Sequence, residues 1–201
     1  MKEDILEQLA DDWLQSKGYF TRHNMKFKPR IDHADFAKSK DCVPSDIDVI
    51  GFNPRLKGVD QVIVVGCKSW QEGFNPRGVI ASIHGKKQIA GRDAWKGFRE
   101  LTSPKWSDAF ICAVEQIAGS SKFRYLTAVT ALRGDRLAWE NEPSFREAMN
   151  GNPIGIVTLA EMAADVAAKL TTTVAASTFG RTLQLLKAAG VVLNHAMSPG
   201  R

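Results

Sequence analysis

Two β-branched runs, Ile47-Asp48-Val49-Ile50 and Val62-Ile63-Val64-Val65, lie on either side of the turn-rich Asn53-Pro54-Arg55-Leu56-Lys57-Gly58. This pattern predicts two consecutive strands. The first carries Asp46 and Asp48 near its start, and the second runs through Gly66 and Cys67 to Lys68. Side chains alternate along a strand, so Asp46 and Asp48 are expected on one face of theirs and positions 66 and 68 on one face of the next. If the strands pair, these faces can meet.

Upstream, Ile5, Leu6, Leu9, Ala10, Trp13 and Leu14 form a 3.6-period stripe within Lys2 to Lys17, and Gly18 ends it as a C′ residue. Tyr19 to Phe27 reads as a short strand. Lys28 to Ser45, with prolines near both ends, reads as a loop of the kind that sits over a site. Downstream, a broken helix is expected from about Val79 to Leu101, because Gly85, Gly91 and Gly97 interrupt it. It carries Lys86, Lys87, Gln88, Arg92, Lys96 and Arg99, opposed only by Asp93 and Glu100. Ala109 to Gln116, Tyr125 to Leu132 and Ile154 to Leu159 read as further strands. Ala160 to Leu170 and Thr178 to Ala189 read as helices. This order predicts an α/β sandwich with a central mixed sheet flanked by helices. Residues 1–135 form its expected core, and 136–201 a C-terminal strand and helices that complete or extend the same domain.

With 201 residues, 44% of them hydrophobic and 24% charged, the chain suits one buried core rather than two domains. A formal charge of +5 leans toward a polyanionic partner. Cys42, Cys67 and Cys112 are odd in number and lack C-x-x-C spacing, which argues against a disulfide framework or a zinc site. A reducing, cytoplasmic setting is expected. No run approaches the roughly 18 apolar residues that a membrane span needs. His23, His33, His84 and His195 have no metal-like spacing, and no Gly-rich phosphate loop is present. Trp70, Trp95, Trp106 and Trp139 are read as core, or one as a base-stacking residue.

A hard cation such as Mg²⁺ takes oxygen ligands, commonly one or two carboxylates with water and a substrate phosphate. A nearby ammonium can position water and offset charge developing on phosphorus. Asp48 and Lys68 are the residue types for those roles. Taken alone, Asp46 and Asp48 would as readily cap a turn, Glu7 would be a solvated helix acid, and the basic run a solvated face.

Asp48 within Asp-Ile-Asp-Val-Ile-Gly, Lys68 within Gly-Cys-Lys-Ser, and Glu7 on a helix leading into Gly18-Tyr19 together resemble the PD-(D/E)xK nuclease superfamily of restriction-endonuclease-like folds, over about the first hundred residues. The resemblance implies a Mg²⁺- or Mn²⁺-dependent DNA endonuclease, with RNA the less favoured substrate. In that scheme Asp48 and Glu7 hold the metal directly or through water, the main-chain carbonyl of Cys67 adds a ligand, Lys68 orients the nucleophile and Gln88 assists. The basic set Lys86, Lys87, Arg92 and Lys96 would grip phosphates. Cutting both strands of a duplex would suit a homodimer.

Two departures stand out. Pro44-Ser45-Asp46-Ile47-Asp48 offers two aspartates where the motif has one. Gly66 stands where the motif places Asp or Glu. An introduced inactivating substitution, a natural pseudo-nuclease that only binds nucleic acid or another subunit, or an acid supplied from elsewhere, such as Glu72 or Asp46, would each account for it. Glycine offers no side-chain ligand, so weak metal binding and low activity are expected, with Gly66→Glu expected to create or restore cutting.

Overall fold

The computed structural model describes residues 4–191. Asp4 starts α1 (Ile5–Ser16), its carboxylate accepting from the Leu6 amide at 2.8 Å and so satisfying a donor that a helix start leaves open. Leu6, Leu9, Ala10, Trp13 and Leu14 form the buried stripe of this helix. Gly18, at φ +87°, takes the left-handed turn that a residue with a Cβ resists, and β1 (Phe20–Phe27) follows.

The expected loop holds a single helical turn, α2 (Lys38–Asp41). The hairpin β2 (Ser45–Phe52) and β3 (Val62–Lys68) comes next. Then follow α3 (Pro76–His84), a small hairpin of β4 (Gln88–Ile89) and β5 (Arg92–Asp93), a 3-10 turn at Ala94–Gly97, α4 (Arg99–Thr102) and α5 (Pro104–Ala118). The chain continues through β6 (Arg124–Val129), α6 (Arg136–Glu140), α7 (Pro143–Ala148), β7 (Ile154–Thr158), α8 (Leu159–Lys169) and α9 (Thr178–Ala188).

The five long strands lie in the order β1-β2-β3-β6-β7. The pairs β1–β2 and β2–β3 are antiparallel, and β3–β6 and β6–β7 are parallel, so the sheet is mixed and the fold α/β. One face is covered by an aromatic cluster that includes Phe74, Phe98, Trp106, Trp139 and Phe145. The other packs Leu9, Leu14, Val65, Met162 and Val166 between the sheet and α1, α8 and α9. Trp139 meets Phe74, Phe98 and Phe145 at ring-centroid distances of 4.9, 5.0 and 4.7 Å, contacts worth about 0.5–1.5 kcal/mol each beyond burial. They anchor the turn before α4, which carries two residues of the site described below.

Several expectations need correction. Ala109 to Gln116 lies within α5, not a strand: Pro104 opens the helix, and Gly119 closes it at φ +68°. The buried Trp106, Ala109, Phe110 and Val114 sit at helical spacing, which a short apolar run disguises. The span 79–101 is broken as expected, but the basic residues after Gly85 do not lie on a second long helix. It breaks at Gly85, and Lys86, Ala90 and Gly91 take φ values of +53°, +50° and +75°, which fold 88–93 into the small hairpin. Gln88 therefore lies on β4, not on a helix. His195 lies outside the described residues. Among those described, no helix is long and apolar enough to cross a membrane.

Candidate active site

The ladder between β2 and β3 ends at the Val49–Val65 pair, and beyond it the strands part. Ile47 and Ile50 both join the aromatic-side core, although strict alternation would put them on opposite faces. The strand therefore rotates at Asp48. Opposite Asp48 in the β1 register stands Asn24, at φ +54°, so the neighbouring strand is distorted at the same level. In the gap, Asp48 Oδ2 accepts from the Cys67 amide at 2.6 Å. Burial raises the Asp48 carboxyl above its ordinary range. Lys68 and the Cys67 N–H act against that rise, while Glu100 and Asp46 add to it.

Asp46, Asp48, Gly66, Lys68, Arg92, Lys96, Glu100 and Tyr125 line a polar cavity of about 210 Å³. The Lys68 ammonium lies 5.3 Å from the Phe98 ring centroid, so the core aromatic floors the site. Asp46 is held by Lys26 at 2.6 Å and Lys96 by Asp93 at 2.8 Å. Arg92 makes no ion pair among the described residues.

Glu7 does not line this cavity but stands close enough to feel it. Its carboxyl is pushed up to about 7, first by burial and then by the charges of Asp48, Asp4 and Asp46, with Lys68 pulling it down. Asp4 ties the start of α1 to the end of β3 by accepting from the Ser69 hydroxyl at 2.6 Å. Cys67 packs on the opposite face from Lys68, against the second core cluster, and burial pushes its thiol well up. It is a packing residue that lends its backbone N–H, not a nucleophile.

Gln88, Lys86 and Lys87 are exposed and do not line the cavity, and the Gln88 side chain is hydrogen-bonded to Asp93. Glu72 lines a neighbouring groove, not this cavity. That groove, of about 850 Å³, shares Lys68, Arg92 and Gly97 with the cavity and runs past Trp70 and Ser82. A second large groove, of about 860 Å³, is lined by Lys26, Lys28, Arg30 and Lys105. Three of those four cations are already matched by Asp46, Asp32 and Asp41, which leaves Lys28 in that groove and Arg92 beside the cavity without an ion pair among the described residues.

Two residues of the site went unnoticed in the sequence. Tyr125 donates from its hydroxyl to Glu100 Oε1 at 2.6 Å, and both are buried. A Cβ built on Gly66 would stand 2.7 Å from the Tyr125 hydroxyl oxygen and 4.0 Å from Glu100 Oε1. The missing side chain therefore leaves no hole. The tyrosine in the run Tyr125-Leu126-Thr127-Ala128-Val129 was the available signal, since a buried hydroxyl requires a partner.

Among the described residues, no three His, Cys, Asp or Glu side chains are gathered tightly enough to enclose a metal ion by themselves. Mg²⁺ does not require such a cage, because one or two carboxylates with water and substrate phosphate suffice. Asp48, which keeps Oδ1 clear of the Cys67 contact, and Glu7, whose carboxyl is raised by burial and then by neighbouring negative charge, fit that demand.

No family model matches the chain, and no curated protein or solved structure matches it either.

Proposed function

We propose that the chain is a divalent-metal-dependent phosphodiesterase acting on DNA, built on a restriction-endonuclease-like core. The carrying observation is that Asp48 and Lys68, brought by two parting strands, line one polar cavity with the unpaired cation Arg92. The order of α1, the β1–β2–β3 meander and the parallel β6 supports that core. So does the site's place at the end of β3.

The bound metal would supply charge neutralisation at a phosphodiester oxygen. Asp48 and Glu7 are the residues that would hold it. Lys68 orients the attacking water and stabilises the negative charge that builds on the phosphate. Phe98, beneath the ammonium, limits hydration of Lys68 and strengthens its field at the phosphate. Arg92 and Lys96 draw the backbone in, and the adjoining groove gives room for a polymer. Lys86 and Lys87, which precede the small hairpin and are exposed, offer further positive charge to the phosphates.

Nicking of supercoiled plasmid in Mg²⁺ or Mn²⁺ tests this reading. The parent chain should nick, and Asp48→Asn and Lys68→Ala should each lose about 100-fold or more in rate. Salt-sensitive DNA binding with no cleavage by the parent under either metal would replace this reading with a non-catalytic nucleic-acid-binding module.

A further inference from the structure

Glu100 and Asp41 are the two buried carboxylates among the described residues, at 9% and 2% exposure. Asp41 is compensated: the Lys105 ammonium lies 2.6 Å away. Glu100 has no ion pair among the described residues. Its Oε1 takes one hydrogen bond, from Tyr125, and Oε2 forms none to a described residue. Buried charges are normally paired with an opposite charge or bound to a metal, and although Lys68, Arg92 and Lys96 line the same cavity, none of them is ion-paired to Glu100. The cavity it lines also holds Asp48, and the two acids are near enough for Glu100 to raise the Asp48 carboxyl.

The position of Glu100 is specific. Its Oε1 lies 4.0 Å from where a side chain at position 66 would begin, and the Tyr125 hydroxyl lies nearer still, at 2.7 Å. The space that an acid at position 66 would enter is thus already taken by a tyrosine hydroxyl presenting a carboxylate. Any residue larger than glycine there would displace the pair. Glu100 comes from α4 and Tyr125 from β6, so the arrangement is built from elements remote from β3 in sequence.

Resting on the phosphodiesterase reading of this cavity, we infer that Glu100 supplies the carboxylate that position 66 lacks, joining Asp48 as the second acid lining a Mg²⁺ or Mn²⁺ site that Glu7, outside the cavity lining, reaches through water. Tyr125 is its positioning residue. Gly66 is then a spacer that the relocated acid requires, and neither Glu72 nor Asp46 is needed for the role.

Mn²⁺ titration by calorimetry on the full chain at pH 8 tests this, with melting temperature and plasmid nicking followed in parallel. The parent should bind Mn²⁺. Asp48→Asn and Glu100→Gln should each weaken binding about tenfold or more. Without metal, Glu100→Gln should melt close to the parent temperature, because the amide keeps an oxygen to accept from the Tyr125 hydroxyl. If Glu100→Gln binds Mn²⁺ as the parent does while Asp48→Asn does not, the inference is overturned and the phosphodiesterase reading stands. If binding depends on both acids but no nucleic acid is cut, the metal site stands and the phosphodiesterase reading falls. A parent that binds no Mn²⁺ overturns the inference. Should Glu100→Gln fail to fold, Tyr125→Phe serves in its place: weaker Mn²⁺ binding supports the assignment, and unchanged binding refutes it.

Discussion

The Tyr125 hydroxyl donates to Glu100 across 2.6 Å, and it does so from the volume that any side chain on Gly66 would need. Tyrosine and glycine therefore occupy one shared space on neighbouring parallel strands, with Gly66 registered against Thr127, two residues beyond Tyr125.

Gly66→Ala should cost about 1–3 kcal/mol of stability, the usual penalty for overfilling a packed interior. Gly66→Glu should cost no less, and it should not create cutting by simple addition of an acid. In a Tyr125→Phe background the hydroxyl is gone, so the penalty of Gly66→Ala should shrink by about 1 kcal/mol. A double-mutant cycle by urea denaturation reads this coupling, and additive effects would refute the shared space.

Stability should fall as pH rises through the neutral range. The Glu7 carboxyl is raised from 4.5 to about 7 in the folded chain, so between those values the folded state holds a proton that the unfolded state has released. Stability then declines with rising pH across that window. Asp48, also raised, contributes in the same direction. Glu7→Gln should flatten the decline and raise the melting temperature at pH 8. Thermal melts from pH 4.5 to 8 would show it, and an unchanged slope in the variant would rule out Glu7 as the source.

Divalent cations should stabilise the parent more at pH 8 than at pH 5.5. Ligand carboxylates must be ionised to bind metal, and Glu7 is largely protonated at the lower pH. Melting shifts with saturating Mn²⁺ at both values provide the comparison, and equal shifts would count against Glu7 as a ligand.

Arg92→Ala should weaken DNA binding at all sequences and lower the salt slope of log K by about 1. Lys96→Ala should lower it by less, because Asp93 already neutralises part of that charge. Fluorescence titrations at several salt concentrations would separate the two. Equal slopes for Arg92→Ala and the parent would move the DNA path away from the cavity.

The local signals in the chain were strong where one period dominated. The apolar stripe of α1 and the β-branched runs of β2 and β3 each admit a single regular structure, and those elements form where expected. Ala109 to Gln116 was ambiguous because its six-residue apolar run fits either a strand or a buried helix, and only Pro104 and Gly119 at its ends decide. Gln88 was misplaced because the turn at Ala90-Gly91 depends on left-handed backbone at an alanine, which composition does not announce. Asp48 and Lys68 were legible from spacing along a hairpin. Glu100 was not, since its partner Tyr125 lies 25 residues away and the two meet only after α5 crosses to bring β6 beside β3.

Where β2 and β3 part, the amide of Cys67 would lack the cross-strand acceptor that a continued ladder provides, and the carboxylate of Asp48 stands in as the missing rung. The residue best suited to hold a metal is therefore also a stitch in the sheet. Replacing it with alanine would unpick backbone pairing along with chemistry, whereas asparagine keeps an oxygen in place to receive the amide. Asp48 is wired into the secondary structure, so its placement comes with folding itself.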